Sequence, residues 1–176
     1  MITGAITGSV PFFNYRHVFA SEEEEMMSVI RNVGSRGAFI MQAELSAFEA
    51  RLAAFLGAEY SLGVGNATDG LLCCLRAAGI RSGDEVILSS HTMVATAAAI
   101  HFAGGIPVPV ECGADHLMDP VEVEVAITPR TAMIMPTQLN GRTCDMDALQ
   151  AIADKHGLRI VEDAAQFELQ TFLAFD

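Results

Sequence analysis

The chain contains 176 residues, with 22 acidic and 10 basic side chains and a formal net charge of −12. This charge argues against nucleic acid or an anionic membrane surface as a partner, because phosphate groups are bound by clustered Lys and Arg. Since 51% of the residues are apolar, the chain can build a buried core, and its length predicts one domain or slightly more.

The cysteines and the N-terminus indicate the compartment. Cys73, Cys74, Cys112 and Cys144 do not form paired C-x-x-C motifs, which argues against a zinc site and against a disulfide framework. The first twenty residues lack the basic start and the apolar run of a secretory signal. We therefore expect a reducing, cytoplasmic location and no metal site.

Two helices are predicted at the start of the chain. Ser21 followed by Glu22–Glu24 fits a capping box, so the first helix is expected to begin at Ser21. Apolar residues at helical spacing across 45–56 predict the second helix, which Gly57 ends. Residues 1–57 are interpreted as an N-terminal helical segment.

From Tyr60 onward, short apolar strands alternate with helices, a pattern typical of βαβ units in a parallel sheet. The predicted strands are 61–64, 85–88, 106–110, 132–135 and 158–161. The predicted helices are 69–78, 93–103 and 146–156. Residues 86–110 are apolar enough to suggest a bilayer span, but Ser, Thr, Gly and Pro interrupt them, which favours a buried βαβ unit.

One segment gives conflicting signals. Val121–Val125 alternates with period two, as a strand would. Asp119 and Pro120 precede it and are typical of an N-cap and of proline at the first helical position. A helix is therefore predicted there.

Ligands of open α/β sheets bind at the carboxyl ends of the strands. The segments that follow the predicted strands are polar, small or both: Gly65–Asp69, Ser89–Thr92, Thr137–Asn140 and Glu162–Gln166. We expect these segments to line one edge of the sheet.

The turn at residues 63–70 can present backbone N–H groups and a positive helix end to an anion. It is not a Walker loop, because Leu71 and Leu72 stand where Lys and Ser or Thr are required. Thr68 occupies the third glycine position of the dinucleotide fingerprint, which disfavours a dinucleotide-binding domain. The residues alone leave open a phosphate cradle or a simple tight turn.

Two titratable residues also stand at this edge. Asp163 closes the last predicted strand, where a carboxylate can bind a metal, act as a base, pair with a cationic ring nitrogen or simply cap a helix. His91 can relay a proton, stack or hydrogen-bond within its loop, and the last role is the commonest for a lone His.

Eight motifs form a set in this sequence: Arg36–Ile40, Phe48–Glu49, Gly65–Gly70, Gly83–Ile87, Ser90–Thr96, Ala126–Thr131, Asp145–Ala148 and Glu162–Gln166. In order and spacing the set resembles the N-terminal half of the DegT/DnrJ/StrS sugar aminotransferases, which are pyridoxal-phosphate enzymes of fold type I. The resemblance implies a three-layer α/β/α domain with a mainly parallel sheet, like a truncated large domain of aspartate aminotransferase.

The resemblance also implies residue roles. Ala67 and Thr68 would bind the cofactor phosphate, Asp163 would pair with the pyridinium nitrogen, and Gln166 would lie near the 3-hydroxyl. Met93 stands where the family has an aromatic residue that packs on the cofactor ring. The cofactor would be pyridoxal 5′-phosphate (PLP) or pyridoxamine 5′-phosphate (PMP). Residues 58–166 are then a partial cofactor-binding domain, and 167–176 are a divergent tail.

The single lysine of the sequence is Lys155, in the last turn of a predicted helix at the amino end of a strand. It cannot serve as the Schiff-base lysine of the family, so this chain alone is expected to bind the cofactor weakly or not at all, and never covalently. No catalytic residue is assigned.

Three functions remain open. The first is the N-terminal part of an aminotransferase. The family resemblance implies that it would act on a nucleotide-linked keto-sugar, take its amino group from a donor such as glutamate, and form a homodimer. The second is a relative of the PMP-dependent sugar dehydratases. The third is a non-catalytic binding or regulatory module that keeps the fold.

Overall fold

The computed structural model describes residues 14–166, which divide into two compact units at the boundary between Leu62 and Gly63. The first unit holds helices α1 (Tyr15–Ser35) and α2 (Ala43–Leu56). As predicted, α2 ends at Gly57, which adopts the left-handed conformation (φ 65°) and donates its N–H to the carbonyl of Ala53.

The predicted start of α1 at Ser21 is wrong. Asn14 caps the helix by accepting the N–H of His17 on its side-chain oxygen, at 3.3 Å. Ser21 lies within the helix, where its hydroxyl donates to the carbonyl of Val18 at 2.8 Å. A serine within a helix can donate its hydroxyl to the carbonyl of an earlier residue in this way. The helix therefore begins before Ser21, and Asn14 rather than Ser21 is its cap.

The second unit is an α/β sandwich. Its helices are α3 (Ala67–Ala77), α4 (Val94–Ala103), α5 (Pro120–Ala126) and α6 (Met146–His156), with a 3₁₀ turn at Leu139–Gly141. Its strands are β1 (Glu85–Ser89), β2 (Ile106–Val110), β3 (Thr131–Met135) and β4 (Arg159–Ile160). The four strands pair in parallel, in the order β2-β1-β3-β4, which confirms the predicted mainly parallel sheet.

Alternate residues of the central strands feed two cores. Val86 and Leu88 pack with apolar residues of α3 and α4, whereas Ile87 packs with apolar residues of α5 and α6. Because successive strand residues point to opposite faces, this division produces three layers. The apolar stretch 86–110 is thus β1, α4 and β2, and no helix within residues 14–166 has the length and apolar content to cross a membrane.

The predicted strand at 61–64 is wrong. Residues 61–64 belong to none of the four strands of the described sheet, and Leu62 is 82% exposed. A strand forms only where it joins the hydrogen-bond ladder of a sheet, and apolar composition alone does not specify that ladder. The helix predicted after Pro120 is confirmed, because the Asp119 side chain accepts the N–H of Val121.

The pairing of β3 with β4 continues irregularly beyond the strand ends. Val161 donates its N–H to Ile134, and Asp163 donates its N–H to Pro136, at 3.0 and 2.9 Å. The carbonyl of Asp163 in turn accepts the N–H of Gln138 at 2.9 Å. These backbone bonds fix Asp163 beside Thr137, at the carboxyl edge of the sheet.

Candidate functional site

The start of α3 presents free backbone donors. The Asn66 side chain accepts the N–H of Asp69 at 3.0 Å, and the Asn66 carbonyl accepts that of Gly70 at 3.1 Å. The N–H groups of Ala67 and Thr68, in the first turn, have no acceptor among residues 14–166. Because the positive end of the helix dipole lies here, this turn suits an anion.

Asp163 is a buried carboxylate, only 4% exposed. Its Oδ2 accepts the hydroxyl of Thr96 at 2.6 Å, and its Oδ1 accepts the N–H of Ala165 at 3.2 Å. No ion pair to Asp163 exists within residues 14–166. A buried charge that is hydrogen-bonded but not paired with a cation is uncommon, and it suits a partner that arrives with a ligand.

Two further hydroxyls continue from Thr96. The Thr92 and Thr96 hydroxyl oxygens are 2.7 Å apart, and those of Thr92 and Thr137 are 2.8 Å apart. Thr96 lies on α4, Thr92 in the turn before α4, and Thr137 just after β3. The carboxylate is therefore connected to three hydroxyls from separate parts of the domain.

A cavity of about 210 Å³ lies at this edge, lined by Ala67, Thr68, Leu71, Met93, Ala95, Thr137, Asp163, Ala165 and Gln166. The five residues for which the sequence predicted cofactor contacts all line it. Met93 is the N-cap residue of α4 and is 60% exposed. The structure thus brings the predicted residues together, while their roles toward a cofactor stay a prediction.

His91 does not line this cavity. Its Nδ1 lies 3.3 Å from the carbonyl oxygen of His116, and the two imidazole rings meet edge to face at 6.0 Å. The hydrogen bond of His91 is thus made to another loop rather than within its own, and its ring also contacts the His116 ring.

A second, larger cavity of about 450 Å³ lies against residues that include Gln138, Met146 and Glu162. The Gln138 amide is fully engaged there, donating to Glu162 at 2.8 Å and accepting the N–H of Cys144 at 2.7 Å. None of the five predicted residues lines this cavity. We therefore place the candidate site at the smaller cavity, which contains the buried carboxylate.

Lys155 is remote from this edge. It lies in the last turn of α6, before the amino end of β4, whereas Asp163 follows the carboxyl end of β4. Its ammonium donates to Glu124 at 2.5 Å, and His156 also contacts Glu124, at 2.9 Å. These hydrogen bonds, led by that of Lys155, hold the pKa of Glu124 below its usual value.

Sequence reasoning did not single out the three threonines. A signal for Thr96 exists, since it is the only hydroxyl residue within α4, a helix of mostly alanine and other apolar residues, and it is fully buried. A buried polar side chain requires a partner, which directs attention to the nearest strand ends.

Comparison with known proteins identifies the family. A model described as the DegT/DnrJ/EryC1/StrS aminotransferase family matches residues 20–167. The chain is 44% identical over 167 residues to dTDP-3-amino-3,4,6-trideoxy-alpha-D-glucose transaminase of Streptomyces venezuelae, covering 94% of this chain and 44% of that protein.

Solved structures agree with this match. S. venezuelae DesV, in complex with a ketimine intermediate, is similar with a TM-score of 0.89 and 43% identity, covering 92% of this chain and 44% of that one. Bacillus subtilis NtdA with bound PMP has a TM-score of 0.90 and 32% identity, covering 94% of this chain and 38% of that one. The chain spans less than half the length of these relatives, and it belongs to the DegT/DnrJ/EryC1/StrS aminotransferase family.

Proposed function

We propose that the carboxyl edge of the sheet is the phosphate-and-ring half of a PLP or PMP site, in a sugar aminotransferase. The observation that carries this proposal is the buried Asp163 carboxylate, which lacks a cation among the described residues and lines the same cavity as the free N–H end of α3. One end of the cavity thus suits an anion and the other a cationic group, and PMP carries both.

The residues present fit such a group. A phosphate would accept the N–H groups of Ala67 and Thr68, and Asp163 would hold a proton on the ring nitrogen. The cavity volume is about 210 Å³, whereas ligand pockets usually measure at least roughly 300 Å³. A smaller volume is expected if the described residues form only part of the wall of the site. Met93 would cover one face of the ring by a sulfur or methyl contact.

When bound, the cofactor supplies an electron sink for the transfer of an amino group. The contribution of this chain is to orient it and to keep its ring nitrogen protonated. Because Lys155 is engaged with Glu124 at the opposite end of β4, these residues supply no amine for covalent attachment at the cavity.

A relative supports the proposed substrate, and exposed apolar residues support the proposed assembly. Since a relative that is 44% identical is named as a transaminase of a dTDP-linked amino sugar, we propose a nucleotide-linked keto-sugar as substrate, with glutamate as a typical amino donor. We also propose a homodimer, because Val94, Phe102 and Ile106 are large apolar residues with 44–74% exposure near the β2 edge. Sedimentation that shows only monomer at about 50 μM would contradict the dimer.

The phosphate turn is tested by Ala67→Pro. Ala67 is the first residue of α3 and follows an extended Asn66 (φ −163°, ψ 169°), so proline fits the helix while deleting one N–H. We expect PMP affinity to fall about tenfold, the loss of one hydrogen bond to a charged group. Pyridoxamine, which lacks the phosphate, should bind wild type and variant equally.

Ala43→Pro is the matched control, because Ala43 is the first residue of α2 and also follows an extended residue. It should leave PMP affinity unchanged. Of the two outcomes expected from the sequence, weak binding or none, the proposed site requires weak binding. Equal losses for PMP and pyridoxamine would refute the phosphate turn, and a wild-type chain that binds no PMP would favour the non-catalytic module. Borohydride treatment with PLP followed by peptide mapping should leave Lys155 unmodified; a mass increase there would overturn the assignment of Lys155.

A further inference from the structure

The hydroxyls of Thr137, Thr92 and Thr96 form one chain that ends at Asp163, with oxygen separations of 2.8, 2.7 and 2.6 Å. Thr96 is fully buried and Thr137 is 4% exposed, whereas Thr92 is half-buried, so water is excluded best from the bond between Thr96 and Asp163. The hydrogen-bond chain joins the turn before α4, α4 itself and the segments that follow β3 and β4.

Proton counting gives the chain a direction. An ionised carboxylate can accept hydrogen bonds but cannot donate them. Thr96 therefore donates its single hydroxyl proton to Asp163. Thr96 must then accept from Thr92, and Thr92 must accept from Thr137. The reverse direction would require a proton on Asp163 and would leave the Thr137 hydroxyl without an acceptor among the described residues, because its one side-chain hydrogen bond is to Thr92.

From this arrangement, we propose that Thr96 is a positioning residue for Asp163, and that Thr92 and Thr137 orient its hydroxyl. The proposal rests on the proposed function, in which Asp163 meets the ring nitrogen of the cofactor. Thr96 holds Oδ2 and so restricts the torsions of the carboxylate, and the one donor to Oδ1 within residues 14–166 is the N–H of Ala165. Capacity for one more donor therefore remains on Oδ1.

The hydrogen-bond chain also predicts that removing each hydroxyl affects Asp163 to a different degree. Removing the Thr96 hydroxyl breaks the bond to Asp163 itself. Removing the Thr92 hydroxyl leaves that bond but deprives Thr96 of its donor, and removing the Thr137 hydroxyl acts one step further away. Effects on Asp163 should decline in the order Thr96, Thr92, Thr137, since mutual polarisation weakens along a hydrogen-bond chain.

The first test needs no cofactor. Three-bond Hα–Hβ couplings measured by NMR report the χ1 rotamer of Asp163. Wild type and Thr96→Ser, which keeps the hydroxyl, should show a single rotamer, and Thr96→Val should show averaging. The control is Thr131→Val, which removes another buried hydroxyl, one that accepts the N–H of Thr128 at 2.9 Å. A single fixed rotamer in Thr96→Val would overturn the proposal.

The second test measures coupling to the ring nitrogen. Affinity is compared for PMP and for its analogue in which carbon replaces that nitrogen. Thr96→Val should weaken PMP binding about three- to tenfold, leave the analogue unchanged, and be rescued by Thr96→Ser. Equal weakening of both compounds would indicate a merely structural role and overturn the proposal.

The two proposals fail separately. If the wild-type chain binds neither compound, the proposed function fails, while the rotamer measurement still decides whether Thr96 positions Asp163. If wild type and the Thr131→Val control bind PMP and Thr96→Val binds it with the same affinity, the proposed function stands. The positioning role of Thr96 is then refuted.

Discussion

Gly105 sets how closely α4 lies on the sheet, and Gly105→Ala tests that contact. Gly105 is buried and lies between α4, which presents Met93 and Thr96 to the candidate site, and β2. A Cβ added there would meet the Ile80 Cδ1 at 2.5 Å, the Asp84 carbonyl oxygen at 3.2 Å and the Ile100 Cγ2 at 3.2 Å.

The three neighbours differ in how far they can yield. Ile80 ends in a flexible methyl group, which can rotate away. The Asp84 carbonyl accepts the N–H of Ile106 at 2.8 Å and is held in the β1–β2 region, and Ile100 is fully buried. Overpacking of this kind costs about 1–3 kcal/mol, and replacing glycine returns about 0.4–1 kcal/mol through the unfolded state. We expect a net loss of about 1–2 kcal/mol.

Urea unfolding followed by circular dichroism measures this loss, and the melting temperature should fall by roughly 2–8 °C for a chain of this size. Gly70→Ala is the matched control. Gly70 lies in α3, and a Cβ added there would meet the Val64 Cγ2 at 3.4 Å, an ordinary van der Waals distance. The control should be neutral or should stabilise by up to about 1 kcal/mol. If Gly105→Ala is as stable as Gly70→Ala, the contact between α4 and the sheet is looser than described.

Two other predictions concern charge. The Thr128 hydroxyl donates to the Glu85 carboxylate at 2.5 Å, and the Arg130 guanidinium donates two hydrogen bonds to it. The bond from Thr128, followed by those from Arg130, lowers the pKa of Glu85 below its ordinary 4.5. The resulting stability is present above pH 4.5 and is lost as the pH falls through the lowered pKa, so the unfolding midpoint of Glu85→Gln should depend less on acid than that of wild type. Asp163→Asn should weaken PMP about tenfold with an unchanged far-ultraviolet spectrum, and binding as tight as wild type would demote Asp163 to a structural cap.

Elements with local signals could be predicted from the sequence. Gly57 ends α2, and Asp145 caps α6, whose bounds match the prediction at 146–156. Local chemistry also decided correctly at Pro120, where cap and proline outweighed the alternating valines. These signals act over a few residues and are visible in sequence order.

Features that depend on distant partners could not be predicted in the same way. The segment 61–64 has the composition of a strand, but the described sheet is built from β1 to β4 without it, and composition does not tell which segments join a ladder. The threonine chain joins residues 45 and 67 positions apart, and no sequence period links them. At α1, Asn14 and Ser21 are both residues that can cap a helix, and the structure uses Asn14, whose side chain accepts the N–H of His17.

The predicted position of Asp163 came from the rule on strand ends, but its chemical character comes from its neighbours. An arginine in place of Thr96 would satisfy the carboxylate and neutralise it, leaving no charge for a ligand. Hydroxyl donors stabilise the carboxylate without cancelling its charge, so a cation arriving in the cavity still meets a full negative partner. A buried carboxylate held by hydroxyl and amide donors is therefore consistent with the proposed role of Asp163 toward a ring nitrogen, and it differs from the Glu85–Arg130 pair at the amino edge of the same sheet.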